Sequence, residues 1–193
     1  MTIGGDLDIQ AGTVTVQSSS TTNSAAIAVA GDVSIGAGTT LQRGGSIITW
    51  TFGVGGDWTN SGAFTPGASK VVFDGSGTST ISGASTTTFY DLEISSNTTL
   101  DVSTNTLFDA TNSVRNYGRL KQTRTVGVDN VAFLNLSSGK YYGVEVDPSG
   151  STSMGDTTVT VYGEQTCPSP PSLGVTTIKR CFDISPTTST AAT

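Results

Sequence analysis

The side chains of this 193-residue chain that could do chemistry are two pairs of carboxylates, one cluster of cations, two cysteines and a set of aromatics. Asp6 with Asp8, and Asp91 with Glu93, each stand two residues apart, which on a strand puts both carboxylates on one face. Paired carboxylates are the acid and the base or nucleophile of sugar-cleaving sites. Neither pair comes with the Arg, Lys or His partners that such a centre gathers, so both read as ordinary solvent-facing strand residues. Four of the nine basic residues, Arg115, Arg119, Lys121 and Arg124, fall within ten positions, and Arg119 and Lys121 share a strand face. Such a strip is suited to an anionic polysaccharide or another polyanionic surface. Equally, it pairs charges across stacked strands: Leu92 beside Val114 sets Glu93 against Arg115, and Leu100 beside Leu120 sets Asp101 against Lys121.

Three aspartates that each follow a glycine, Asp6, Asp32 and Asp57, could stack on one corner and bind calcium. Each is alone in its stretch, and an Asp after Gly at a turn is expected to bond its own backbone, so neither a metal nor a cofactor is expected. Cys167 and Cys181 are the only cysteines and are expected to form a disulfide. The aromatics Trp50, Phe52, Trp58, Tyr141, Tyr142 and Tyr162 could stack on sugars, although filling the interior is the commoner use. Asn97-Thr98-Thr99 and Asn135-Leu136-Ser137 match the N-glycosylation triplet, which a chain this rich in Thr and Ser produces by chance.

What the chain lacks narrows the field further. It has no His, which removes imidazole as base, ligand or pH switch and with it zinc enzymes, Ser-His-Asp hydrolases and Cys-His proteases. Its net charge of −6 argues against general affinity for nucleic acid, whose phosphates require an excess of Lys and Arg. No apolar run reaches the roughly 18 to 20 residues that span a bilayer. The start, Met1 to Gly5, lacks the basic region and apolar stretch of a signal peptide. With 34 Thr, 25 Ser and 24 Gly, few Lys and two cysteines near one end, the composition suits a mature piece of an extracellular bacterial surface protein.

The elements that must position these residues are strands. Helical spacing of apolar residues is broken everywhere by Gly, Thr and Ser. By contrast 13–16, 47–52, 70–73, 89–94, 131–136, 142–146 and 157–162 alternate or run apolar and then stop at Gly, Asn, Asp or Pro. A repeat sets the architecture. Gly5-Asp6-Leu7-Asp8-Ile9 recurs as Gly31-Asp32-Val33-Ser34-Ile35 and as Gly56-Asp57-Trp58, at spacings of 26 and 25 residues. Tyr90-Asp91-Leu92-Glu93-Ile94 reads as a degenerate copy beyond a loop inserted around 74–83. Val114 to Leu120 aligns with Trp58 to Phe64, placing Asn60 and Asn116 at one corner. Coils of about 22 to 26 residues predict a right-handed parallel β-solenoid, with Leu7, Val33, Trp58, Leu92 and Val114 forming one internal ladder. A β-sandwich is the competing fold, but gives no reason for the repeat.

The segment Gly56 to Gly67, then Val71-Val72-Phe73-Asp74-Gly75, Ile81-Ser82-Gly83 and Phe89 to Ile94, resembles the repeats of large secreted bacterial surface proteins. It is similar to a filamentous-haemagglutinin-like or autotransporter-like adhesin stalk over residues 3–165. The resemblance implies a right-handed parallel β-helix in a cell-surface structure. A solenoid over 1–165 and an end segment over 166–193, with a strand pair in 175–183 and a polar extended tail from Asp183, are therefore expected.

The function expected is structural and non-catalytic: an extracellular stalk, appendage or filament segment. The alternatives are a carbohydrate- or polyanion-binding module and, behind it, a polysaccharide-cleaving β-helix enzyme. The first coil starts in register with nothing ahead of it to cover its backbone edge. Self-association or continuation with further coils is thus the expected partnership, with a cell-surface polysaccharide as a second, and with neither nucleic acid nor a membrane span.

Overall fold

A computed structural model describes residues 1–17, 25–44, 49–103, 108–134, 136, 143–148, 153–163 and 180–187. Every regular element among them is a strand, and none is a helix able to cross a membrane. The first coil holds β1 (Thr2–Ile3), β2 (Leu7–Ile9) and β3 (Thr13–Val16). The second holds β4 (Ala25–Val29), β5 (Val33–Ile35) and β6 (Thr40–Arg43), and the third β7 (Trp50–Val54), β8 (Trp58–Asn60) and β9 (Ala63–Thr65). Coils then continue with two strands each: β10 (Lys70–Phe73) and β11 (Gly77–Ser82), β12 (Thr87–Ile94) and β13 (Thr98–Asp101), β14 (Phe108–Asn116) and β15 (Arg119–Val126). The chain closes with a hairpin of β16 (Val131–Phe133) and β17 (Val144–Val146), then β18 (Gly155–Gly163) and β19 (Arg180–Pro186).

These strands stack into a β-solenoid of about five turns. One wall is the six-stranded sheet β1-β4-β7-β10-β12-β14, a second the eight-stranded sheet β19-β18-β15-β13-β11-β8-β5-β2, and a third the short sheet β3-β6-β9. Pairing is parallel from the first coil through β14 and β15. The coil shortens along the rod, from 26 residues between Leu7 and its partner Val33 to 20 between Leu100 and its partner Leu120. On the six-stranded wall the change comes in the third coil, where 19 residues separate Phe52 from its partner Val71 although β9 is still present.

Two internal columns result where the sequence led us to expect one. Leu7, Val33, Trp58 and Ile81 stack in the eight-stranded sheet. Ile27, Phe52, Val71, Leu92 and Val114 stack in the six-stranded sheet. The alignment of Val114–Leu120 with Trp58–Phe64 is therefore corrected, because β14 and β8 lie in different walls and Asn116 does not share a corner with Asn60. Tyr90–Ile94 likewise continues β10, not the Gly-Asp series, and most of the supposed loop 74–83 is the strand β11. Between the columns, edge-to-face aromatics fill the interior: Trp58 lies 4.8 Å from Phe64 and 5.4 Å from Phe89, centre to centre.

The C-terminal end departs from simple stacking. β18 pairs antiparallel with β15, and β19 antiparallel with β18, so residues 155–163 do not form another parallel coil. The expected free tail is corrected too, since Asp183 to Pro186 belongs to β19. Trp58 is wholly buried, so Trp58→Ala should destabilise the fold by about 3–5 kcal/mol, read as a lower urea midpoint with an unchanged slope. A midpoint within experimental error of the wild type would contradict the packing described.

Candidate functional site

The three aspartates of the repeat form one line up a corner of the rod, and each reaches forward into the next coil. Asp6 Oδ1 accepts the Asp32 N–H at 2.9 Å, Asp32 Oδ1 accepts the Asp57 N–H at 2.7 Å, and Asp57 Oδ1 accepts the Thr80 N–H at 2.7 Å. The expectation that they bond their own backbone is thus corrected: the carboxylate joins consecutive coils. The preceding glycine follows from the same geometry. A Cβ on Gly31 would lie 2.0 Å from Asp6 Oδ1, and one on Gly56 would lie 2.1 Å from Asp32 Oδ1. The carboxylate occupies the space that any larger residue would need. Among the described residues no group of three His, Cys, Asp or Glu converges as a metal site.

Asn60, fully buried, fastens another corner: its Nδ2 donates to Thr86 O at 3.0 Å and Thr87 Oγ1 at 3.2 Å, and its Oδ1 accepts the Gly62 N–H. Asn116 sits where the rod meets its closing strands and donates from Nδ2 to Val161 O at 2.9 Å.

The basic residues are not brought together as one strip. Arg115 is exposed on β14 in the six-stranded sheet, in register with Glu93. The other three lie on β15, where Arg119 stands over the Tyr162 ring at 5.4 Å. Lys121 pairs with Asp101 at 2.7 Å, across the register expected from the charges. Arg124 falls on the opposite face from Arg119 and Lys121, with Nη1 donating to Ala132 O. Asp101 is held by Lys121 and by the Ser103 hydroxyl and N–H. Burial pulls its pKa upward, but the hydrogen bonds from Lys121 and Ser103 and the lysine charge outweigh that, leaving it below the ordinary 3.8.

The carboxylate pairs do not share a cleft. Asp8 takes two hydrogen bonds from Gln10 Nε2, at 2.6 and 2.7 Å, while Asp6 serves the corner. Asp91 accepts from Asn112 Nδ2 and Ser113 Oγ, and Glu93 pairs with Lys70 at 2.9 Å. Trp50, Phe52 and Trp58 are interior residues, 4%, 6% and 0% exposed, and so offer no stacking surface. Tyr141, Tyr142, Asn135 and Cys167 lie outside the described residues, whereas Cys181 is buried on β19.

One feature escaped the sequence reading. The N-terminal end holds an open apolar hollow of about 490 Å³, bordered by Ile3, Leu7, Val14, Val16, Ile27 and Trp50. Around it β1, β2 and β3 are the terminal strands of their sheets, so the outer edge of each has no described partner. The chain matches no protein-family model, no curated protein and no solved structure.

Two outcomes test this geometry. Gly56→Ala should cost about 1–3 kcal/mol, since the new methyl meets Asp32 and Gly31 backbone, whereas Gly5→Ala, with open space at its Cβ, should stay within about 0.5 kcal/mol. Equal urea midpoints for the two variants would contradict the corner. The second outcome concerns acid. A carboxyl whose folded pKa lies below its unfolded value stabilises the fold above about pH 4, and that contribution is lost as pH falls through the folded value. Lys121→Met should therefore flatten the acid limb of a stability profile while changing it little where Asp101 is protonated; an unchanged limb would contradict the pairing.

Proposed function

We propose that this chain is a non-catalytic structural segment of an extracellular appendage, of the filamentous-haemagglutinin-like or autotransporter-like adhesin-stalk kind. The observation that carries the reading is the use of its charged groups. Asp6, Asp32 and Asp57 tie coil to coil, and Lys70–Glu93 and Lys121–Asp101 bridge neighbouring strands on the walls. A rod whose carboxylates and cations are engaged in stacking suits bearing and spacing better than turnover. The Thr- and Ser-rich composition supports an extracellular location, where Cys167 and Cys181 are expected to be bridged.

Antibody labelling of intact source cells tests the location, and a panel of polysaccharides tests the absence of turnover. Surface labelling without cleavage is the expected result; labelling only after permeabilisation, or release of reducing ends, would contradict the reading. For the disulfide, Cys167 and Cys181 should resist alkylation in unreduced protein, and reduction should lower stability by roughly 3 kcal/mol. Modification of both thiols without reductant would contradict both the bridge and the oxidising location.

A second reading, weak binding of an anionic polysaccharide, is favoured by the exposed Arg119 beside Tyr162. Binding of a heparin-like polymer should then fade as salt screens contacts beyond about 10 Å at 0.1 M, and should fall further in the Arg119→Ser, Lys121→Ser double variant. Retention that survives both high salt and the substitutions would overturn the electrostatic account.

A further inference from the structure

We propose that the open N-terminal end is a socket for a second copy of this chain, which inserts its β19 edge parallel to β2 and seats Asp183 at Gly5. The repeat itself supplies the socket. Gly31 and Gly56 are each filled by the carboxylate of the preceding coil, at 2.0 and 2.1 Å from where a Cβ would stand. Gly5 holds the same place in the first coil, followed by Asp6 as Gly31 is by Asp32, but nothing lies within 4 Å of its Cβ position. Its side is open where the other two are occupied, so the first coil carries the receiving half of a contact whose donating half no described residue supplies. That half is an aspartate followed by an apolar residue on a strand of the same direction.

β19 fits that description. Two successive antiparallel pairings, β15 with β18 and β18 with β19, return it to the direction of every solenoid strand in its sheet, β2 included. It is the sheet's terminal strand, with its outer edge unpaired among the described residues. Its sequence Phe182-Asp183-Ile184-Ser185 offers Asp followed by Ile as Asp6 is followed by Leu7 and Asp32 by Val33. Phe182 pairs with buried Val161 and Ile184 with buried Val159, so both side chains lie on the core face of the sheet. Yet they are 43% and 41% exposed, with no described residue covering them.

The register follows. Asp183 against Asp6 places Ile184 over Leu7 and extends the column Leu7–Val33–Trp58–Ile81 into the neighbour. Shifting the pairing by two would keep the faces but carry Asp183 to Asp8, away from the open Cβ position of Gly5. Pro186, with no N–H to give, ends the pairing at Ile9. The eight-stranded sheet runs two strands past β15, about 10 Å at the usual strand spacing, whereas the six-stranded sheet stops at β14. The rod thus ends in a projection carrying Phe182 and Ile184, and begins in a hollow of about 490 Å³ lined by apolar side chains. The two ends differ, so the contact is head to tail and builds open chains rather than a closed dimer. The proposal deepens the structural reading by naming the partner. Its sense as filament growth rests on that reading, but association in solution and labelling on cells are measured separately and can fail separately.

Sedimentation of the full chain from micromolar to millimolar concentration tests it, with Gly5→Val, Asp183→Ala and Phe182→Lys as variants. Wild type should grow in mass with concentration without stopping at a dimer. Each variant should associate at least about tenfold more weakly at an unchanged melting temperature, because Gly5 has room for a side chain and Phe182 and Asp183 are exposed. An equimolar mixture of Gly5→Val and Asp183→Ala should form dimers and nothing larger, since each retains one working end. A wild-type chain that remains monomeric at millimolar concentration would overturn the proposal and leave the hollow to a further coil or another protein. Association of Gly5→Val equal to wild type, or a mixture that stays monomeric, would overturn it as well.

Discussion

The structure depends on a carboxylate that leaves one coil and accepts the N–H of the next. A parallel coil has no hairpin to set the register of its neighbour, and a slip of one residue would turn every inward side chain outward. The Asp6–Asp32–Asp57–Thr80 line removes that freedom, because each acceptor meets one particular N–H, and the carboxylates of Asp6 and Asp32 fill the space where Gly31 and Gly56 have no Cβ. A bond of this kind contributes about 1 kcal/mol net, which is small beside the burial of Trp58, Phe73 and Phe89. Its consequence is larger than its energy: it decides which apolar residues meet. With Asp32 fixed over Asp6, Val33 must lie over Leu7 and Ile35 over Ile9.

From the fourth coil on, the corner ladder gives way to other devices, and the fold changes with it. β10 and β12 are joined by Lys70–Glu93, and β13 and β15 by Asp101–Lys121, so wall pairs take over from the corner. The third wall disappears, the coil shortens, and the antiparallel pair β18–β19 ends the eight-stranded sheet. Packing against Phe133, Leu134, Leu136 and Val146 buries the interior at that end, whereas Ile3, Leu7, Val14 and Val16 remain half-exposed at the other. Among the described residues the rod therefore has direction, with its core packed over at one end and open at the other. That polarity makes growth along the rod axis physically reasonable.

Much of the first half was legible because its period is regular. Thr13–Val16 and Lys70–Phe73 are strands with the bounds their alternation indicates, and Leu7, Val33 and Trp58 stack as the Gly-Asp repeat requires. The second half misled for a physical reason. The Gly-Asp motif does not recur after Trp58: Ile81 continues its column without it, so the copies read beyond a supposed loop put Leu92 and Val114 in the wrong ladder and Asn116 beside Asn60. The pairwise alignments of Leu92 with Val114 and of Leu100 with Leu120 were sound, and they set Asp101 against Lys121 and Glu93 in register with Arg115, although the ion pair of Glu93 is with Lys70. The forward reach of the aspartates left a trace in the sequence, the glycine before each one. Its meaning needed the coil spacing: a glycine without a positive φ at Gly31 and Gly56 marks a space taken by something else. β19 was only partly legible: the strand pair expected in 175–183 overlaps its start, but its continuation through Ile184 to Pro186 was obscured by the Ser, Pro and Thr that follow.

If the corner carboxylates set the register, the N–H groups they hold must open only when the coils separate. Amide hydrogen exchange read residue by residue tests this most directly. The account predicts that the amides of Asp32, Asp57 and Thr80, although near the surface, exchange as slowly as those of the interior strands β5 and β8, and that Asp32→Ala speeds exchange at Asp57 far more than at Thr80. Exchange of all three at the rate of exposed turn amides in the wild-type chain would contradict it.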